Sequence, residues 1–196
     1  MWRRNFIILL LASSLTACGK PEMPSPFHAA DVTWQYTQAD FRLNDANGKS
    51  HSLKDFSGKV VVLFFGYTHC PEVCPTTLAD LAQVVRLLGK DADQVQVLFV
   101  TLDPERDNPA LLAQYVPSFN PAFLGLYGDA QATALAAKAF GVKYAKQFSS
   151  HGEYTLDHSD GTYLIGIKGH PILLSPYAQK TELLVQDIKL LLATGQ

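Results

Sequence analysis

The run KVVVLFFGYTHCPEVCPTTLADL, residues 59–81, constrains this chain more than any other segment. Its first part, Lys59 to Gly66, is an almost unbroken apolar stretch rich in valine and phenylalanine, the pattern of a strand buried on both faces. A short turn carrying Cys70 and Cys74 follows. From Pro75 the apolar residues Leu78, Leu81, Ala82, Val85 and Leu88 recur at helical spacing, and Pro75 suits a first helical turn. A strand, a two-thiol turn and a helix open an α/β unit. The two thiols can hold a thiophilic metal, close into a disulfide, or do both in turn.

The rest of the chain continues the alternation. Asn47-Gly48 is a turn signal between two short extended segments, which predicts an N-terminal β-hairpin. Further strands are expected at Val95–Leu102, Phe123–Tyr127, Val142–Phe148, Thr162–Ile167 and Pro171–Leu174. Helices are expected at Asn108–Tyr115, Asp129–Phe140 (stopped by Gly141) and Lys180–Ala193. The fold class that follows is α/β: a thioredoxin-like mixed sheet flanked by helices.

The N-terminus reads as an address. Arg3 and Arg4 precede the apolar run Phe6 to Ala12, the layout of an export signal and too short to span a bilayer. Leu15-Thr16-Ala17-Cys18 resembles a bacterial lipoprotein cleavage box, which implies removal of residues 1–17 and lipidation of Cys18. The proline-rich stretch after it suits a tether, so the expected organisation is signal 1–17, lipidated tether 18–36 and domain 37–196. The expected location is a bacterial cell envelope, with the protein lipid-anchored to a membrane and the domain facing the periplasm. Of the three cysteines in the chain, that leaves Cys70 and Cys74 as a pair in an oxidising compartment. The formal net charge of −2 argues against a nucleic-acid partner.

Cys74 falls at or next to a helix N-cap, where the helix dipole and free N–H groups favour a thiolate. A two-thiolate metal site wants a further ligand. Of six histidines, His28 lies in the tether, His51 after the hairpin turn, His151 in a polar stretch and His170 in a turn. His69 adjoins Cys70 and is expected to point away. His158, just before a predicted strand, is either a ligand carried beside the cysteine turn or a loop histidine. Asp157 is either an orienting partner for that imidazole or an exposed turn residue. Asp103, after the second buried strand, belongs at the same sheet edge as the cysteines, in a role near the site or as a turn former.

FFGYTHCPEVCPTTLADL, VTLDPERDNPALLAQY and YTLDHSDGTYLI, in that order, resemble the SCO/SenC family from about Phe41 to Ile165. Those are thioredoxin-fold copper proteins of cytochrome c oxidase assembly. The resemblance implies Cys70, Cys74 and His158 as copper ligands and a role near the site for Asp103. It implies the copper-centre subunit of an oxidase as partner, with periplasmic copper carriers or thiol reductants as further partners. One segment departs from the family: Ile165 to Pro171 reads IGIKGHP where an acidic turn is usual, so the hairpin there is expected to differ.

Three functions remain open on sequence. The first is a copper chaperone, since two thiolates and an imidazole suit Cu(I) and, with added donors, Cu(II). Zinc accepts the same ligands. The second is a thiol–disulfide oxidoreductase that keeps the target's cysteines reduced. In that enzymatic role Cys70 and Cys74 would be catalytic, although their three-residue spacer is longer than the usual C-x-x-C. The third is a lipoprotein with a structural disulfide.

Overall fold

All seven residues of Val60–Gly66 are buried, and this strand lies inside an eight-stranded sheet. The structure, a computed structural model, describes residues 25–196. In chain order the strands are β1 (Ala30–Asp31), β2 (Leu43–Asp45), β3 (Ser50–His51), β4 (Val60–Gly66), β5 (Val95–Thr101), β6 (Leu124–Tyr127), β7 (Tyr144–Phe148), β8 (Tyr154–His158), β9 (Thr162–Ile165) and β10 (Pro171–Ser175). The helices are α1 (Val73–Leu88), α2 (Pro109–Phe119), α3 (Ala130–Ala139) and α4 (Thr181–Thr194).

The large sheet runs β1-β10-β9-β4-β5-β6-β2-β3. β4 pairs in parallel with β5, from Val60 opposite Val95 to Gly66 opposite Thr101. On its other edge it pairs antiparallel with β9, with Phe64 opposite Thr162. The sheet is therefore mixed, as expected. Helix α1 buries Leu78, Leu81, Ala82, Val84 and Leu88. Burying such a side chain contributes about 1.5–3 kcal/mol, which fixes the helix, and its cysteine end, against the sheet. Val84 replaces the expected Val85 in the fully buried stripe; Val85 packs at its edge. Helix α4 packs on α1.

The β2–β3 hairpin turns at Asn47-Gly48. Gly48 has φ +80°, a conformation glycine adopts without steric cost. Asp45 accepts the Asn47 and Lys49 amides at 2.9 and 3.0 Å. The unusual IGIKGHP segment still closes the β9–β10 hairpin, through Gly169 N–H to the Gly166 carbonyl and Gly166 N–H to the His170 carbonyl, both 2.9 Å.

Several details differ from expectation. The expected strand at Val142–Phe148 is present as β7 but lies outside the main sheet. Among the described residues it pairs only with β8, which the sequence did not announce, in a separate two-stranded sheet. These strands are largely exposed, and Leu156 is the one fully buried residue on them, so neither carries a core-strand pattern. Helix α2 runs past Tyr115 and through Pro117 to Phe119, with Val116 fully buried. Part of the expected tether is packed on the domain: Asp187 of α4, itself buried, accepts the His28 amide and ring Nδ1 at 2.8 and 3.0 Å and the Ala29 amide at 2.9 Å. Strand β1 then pairs with β10. The expected signal and Cys18 lie outside the described residues. Among the described residues no helix is long and apolar enough to cross a membrane.

Candidate metal centre

The cysteine turn hangs between two rigid elements. Gly66 ends β4 and Val73 begins α1. Cys74 is thus in the first turn of α1, whose leading N–H groups have no intrahelical partner. The Cys74 N–H donates to Cys70 Sγ at 3.4 Å. Cys74 is fully buried and Cys70 half-buried, both as free thiols. The space for Cys74 depends on Gly66: a Cβ there would sit 2.8 Å from Cys74 Sγ and 3.0 Å from the Phe99 ring.

Burial pushes the Cys74 thiol well above its ordinary pKa, against a weaker opposing hydrogen bond from the Tyr67 backbone. The expected lowering by the helix end does not prevail here. A helix terminus contributes about 0.3–1 kcal/mol, less than one pKa unit, whereas full burial shifts a group by up to about 3–5 units.

His158 ends β8 and reaches the pair. Its Nε2 lies 3.7 Å from Cys74 Sγ. The sulfurs of Cys70 and Cys74 and a ring nitrogen of His158 all fall within 4.8 Å of one another. The other ring nitrogen, Nδ1, is 2.8 Å from the Ser159 carbonyl. A carbonyl only accepts, so Nδ1 carries a proton and Nε2 is the nitrogen that faces the sulfurs. The rings of Tyr67 and Phe64 stand against the imidazole, at 5.9 and 6.4 Å between centroids.

The spacing suits a metal. Bonds of about 2.3 Å to sulfur and 2.0–2.1 Å to nitrogen, spread at tetrahedral to trigonal angles, put sulfur and nitrogen roughly 3.6–3.8 Å apart. The Cys74–His158 separation falls within that range. Two soft thiolates and one imidazole suit copper or zinc.

The aspartates are placed differently from one another. Asp157 is exposed and points away, because neighbouring residues of a strand face opposite sides; Ser159 orients the imidazole in its stead. Asp103 is buried and accepts from Arg106 Nε and, at 2.8 Å, from Tyr154 Oη. It supports the hairpin that bears His158. Sequence reasoning passed over Asp107. This buried carboxylate accepts from the Thr68 amide at 3.0 Å, Thr68 Oγ1 at 2.5 Å and Thr101 Oγ1 at 2.6 Å, and so pins the cysteine turn to the end of β5. The signal was present as the second aspartate of DPERD. His51, buried against Asp45 at 3.0 Å, and His28, on Asp187, serve the scaffold. His69 bonds to Thr68 Oγ1 at 3.0 Å.

A family model described as SCO1/SenC matches residues 31–193. The Danio rerio mitochondrial SCO2 homolog is 43% identical over 136 residues, 67% of this chain and 48% of that protein. The chain spans about half to two thirds of the length of the first curated relatives it matches. Among solved structures, Bradyrhizobium japonicum ScoI with copper bound aligns at 40% identity and a TM-score of 0.71, covering 77% of this chain and 96% of that one. A SCO1/SenC family lipoprotein from Bacillus anthracis aligns at 25% identity and a TM-score of 0.65, over 78% and 92% of the two chains.

Proposed function

This chain belongs to the SCO1/SenC family, and from that membership we propose that it is a copper chaperone for the copper centre of cytochrome c oxidase. Its ligands are Cys70, Cys74 and His158, and copper is its cargo. The observation that carries the reading is the convergence of three donor atoms within 4.8 Å, from two segments more than eighty residues apart. The likeness to a ScoI structure with copper bound favours copper over zinc. The set suits Cu(I), and Cu(II) once further donors join.

The alternative, a reductase of the target's cysteines, is not favoured. It accounts for the thiol pair but does not require a third donor converging on both sulfurs, and the spacer between the thiols is longer than the usual C-x-x-C. An oxidase subunit is the recipient, and other periplasmic copper carriers or thiol reductants are further partners. The N-terminal pattern, with the Bacillus anthracis lipoprotein as relative, supports export, lipidation of Cys18 and a periplasm-facing position in the cell envelope.

Anaerobic titration of the reduced protein with Cu(I), followed by X-ray absorption, tests the reading. We expect about one copper per chain in a site of two sulfurs and one nitrogen. A sulfur-only site, or tighter binding of zinc than of Cu(I), would overturn it.

A further inference from the structure

Among the described residues, the hairpin that carries His158 pairs with no strand of the main sheet: β8 pairs only with β7. The position of the imidazole therefore depends on how this hairpin is fastened. Several of its fastenings converge on one residue, Tyr154. Its hydroxyl donates to the buried Asp103 at 2.8 Å, and its carbonyl accepts from Arg106 Nη1 at 2.8 Å. The Arg106 guanidinium lies 3.7 Å from the Tyr154 ring centroid and 5.8 Å from that of Tyr67. Lys146 approaches the Tyr154 ring at 4.3 Å while bonding Glu105 at 2.6 Å. The short turn Asp103–Arg106 thus grips the hairpin at ring, hydroxyl and backbone together.

Strand geometry connects this grip to the metal centre. Tyr154, Leu156 and His158 stand on one face of β8, since side chains repeat every second residue. Leu156 between them is buried. Fixing Tyr154 and Leu156 fixes where β8 delivers His158, and the Ser159 carbonyl then sets the ring's orientation.

We propose that Arg106 and Tyr154 are positioning residues: together they clamp the β7–β8 hairpin so that His158 Nε2 meets the two cysteine sulfurs. Neither touches the metal. This inference rests on the three-ligand reading above and adds the device that completes the ligand set. Lysine at position 106 keeps the charge over the ring but lacks the planar fork that serves Asp103 and the Tyr154 carbonyl together.

A double-mutant cycle tests it, read as Cu(I) affinity by competition with a chromophoric chelator. Arg106→Met is expected to weaken binding about 10–100-fold, the usual effect of losing a group that orients a ligand. Arg106→Lys should recover part of that loss. In a His158→Ala background, Arg106→Met should cost nothing further, because the residue acts through the histidine. A metal-free readout accompanies the titration. The ring-nitrogen NMR signal of His158, sharp in the parent, should broaden or move in Arg106→Met. If that variant does not fold, Tyr154→Phe keeps the packing and removes only the bond to Asp103. It should show a smaller loss that also vanishes with His158→Ala. If His158→Ala weakens binding but Arg106→Met and Tyr154→Phe leave it unchanged, or add to it fully, the clamp is wrong and the ligand set stands. If His158→Ala itself changes nothing, the three-ligand reading fails and the clamp's role falls with it.

Discussion

The carbonyl of Ser159 accepts the Nδ1–H of His158 at 2.8 Å, and that bond sets which nitrogen faces Cys74. An imidazole free to flip would offer the sulfurs a lone pair only part of the time. Held this way, it offers Nε2 continuously.

Removing the imidazole should therefore separate affinity from fold. We expect His158→Ala to weaken Cu(I) binding by more than the roughly 10–100-fold that follows loss of a ligand's hydrogen-bond partner. Its thermal midpoint should stay near that of the parent, since the residue is only half-buried at a strand end. The nitrogen scatterer should vanish from the X-ray absorption spectrum. Its persistence would show that another group is the third ligand.

Copper affinity should rise with pH. Burial raises the Cys74 thiol above its ordinary value of 9.0, so at neutral pH this sulfur is protonated in the metal-free protein. Metal binding must expel that proton, and metal and proton compete. Between about pH 6 and pH 8 the apparent dissociation constant should fall, with proton release visible as buffer-dependent heat in calorimetry. Heats identical in buffers of different ionisation enthalpy would count against this.

Gly66→Ala should strain the centre without touching a ligand. The new Cβ would lie 2.8 Å from Cys74 Sγ and 3.0 Å from Phe99, in a strand buried on all sides. Overpacking of this kind costs about 1–3 kcal/mol. Denaturant unfolding of the metal-free protein should show that loss, together with weaker copper binding. An unchanged midpoint and affinity would mean that the strand end yields more easily than its packing implies.

Asp107→Asn should loosen the cysteine turn. The carboxylate accepts three hydrogen bonds from Thr68 and Thr101, and bonds to a charged group contribute about 1.5–3 kcal/mol each. An amide keeps the shape and one acceptor oxygen. We expect a loss of about 2 kcal/mol in stability and faster hydrogen exchange at the Thr68 amide. Unaltered exchange at Thr68 would show that the turn is held by other means.

The parts of this molecule legible in its sequence are those where one physical signal dominates. The apolar run of β4, the Asn47-Gly48 turn and the helical stripe of α1 each carry such a signal. Strand β8 does not: YTLDH has one fully buried residue and alternates with polar ones, so it reads as loop until the clamp at Tyr154 is seen. Asp157 and Ser159 show a related limit. Sequence favours a carboxylate as the partner of an imidazole, but strand alternation turns Asp157 away and leaves the task to a main-chain carbonyl, which no side-chain pattern encodes. Asp103 and Asp107 sit in one motif, and only the fold separates their tasks, one serving the hairpin and the other the cysteine turn. The expected thiolate at the head of α1 overlooked burial, because the depth of Cys74 is set by Gly66 and Phe99 across the strand rather than by anything beside it in the chain.

The two sulfurs differ in depth, Cys74 fully enclosed and Cys70 partly open, and this gives the pair a front and a back. A visiting thiol, whether a reductant or a cysteine of a recipient protein, can collide only with the front sulfur. With the pair closed as a disulfide, a visiting thiolate would attack Cys70 Sγ: the new S–S bond forms there, the Cys70–Cys74 bond breaks, and the buried Cys74 takes up a proton as it leaves. If the pair held a metal, the same geometry would make Cys70 the ligand that a newcomer reaches first, through one face of the molecule.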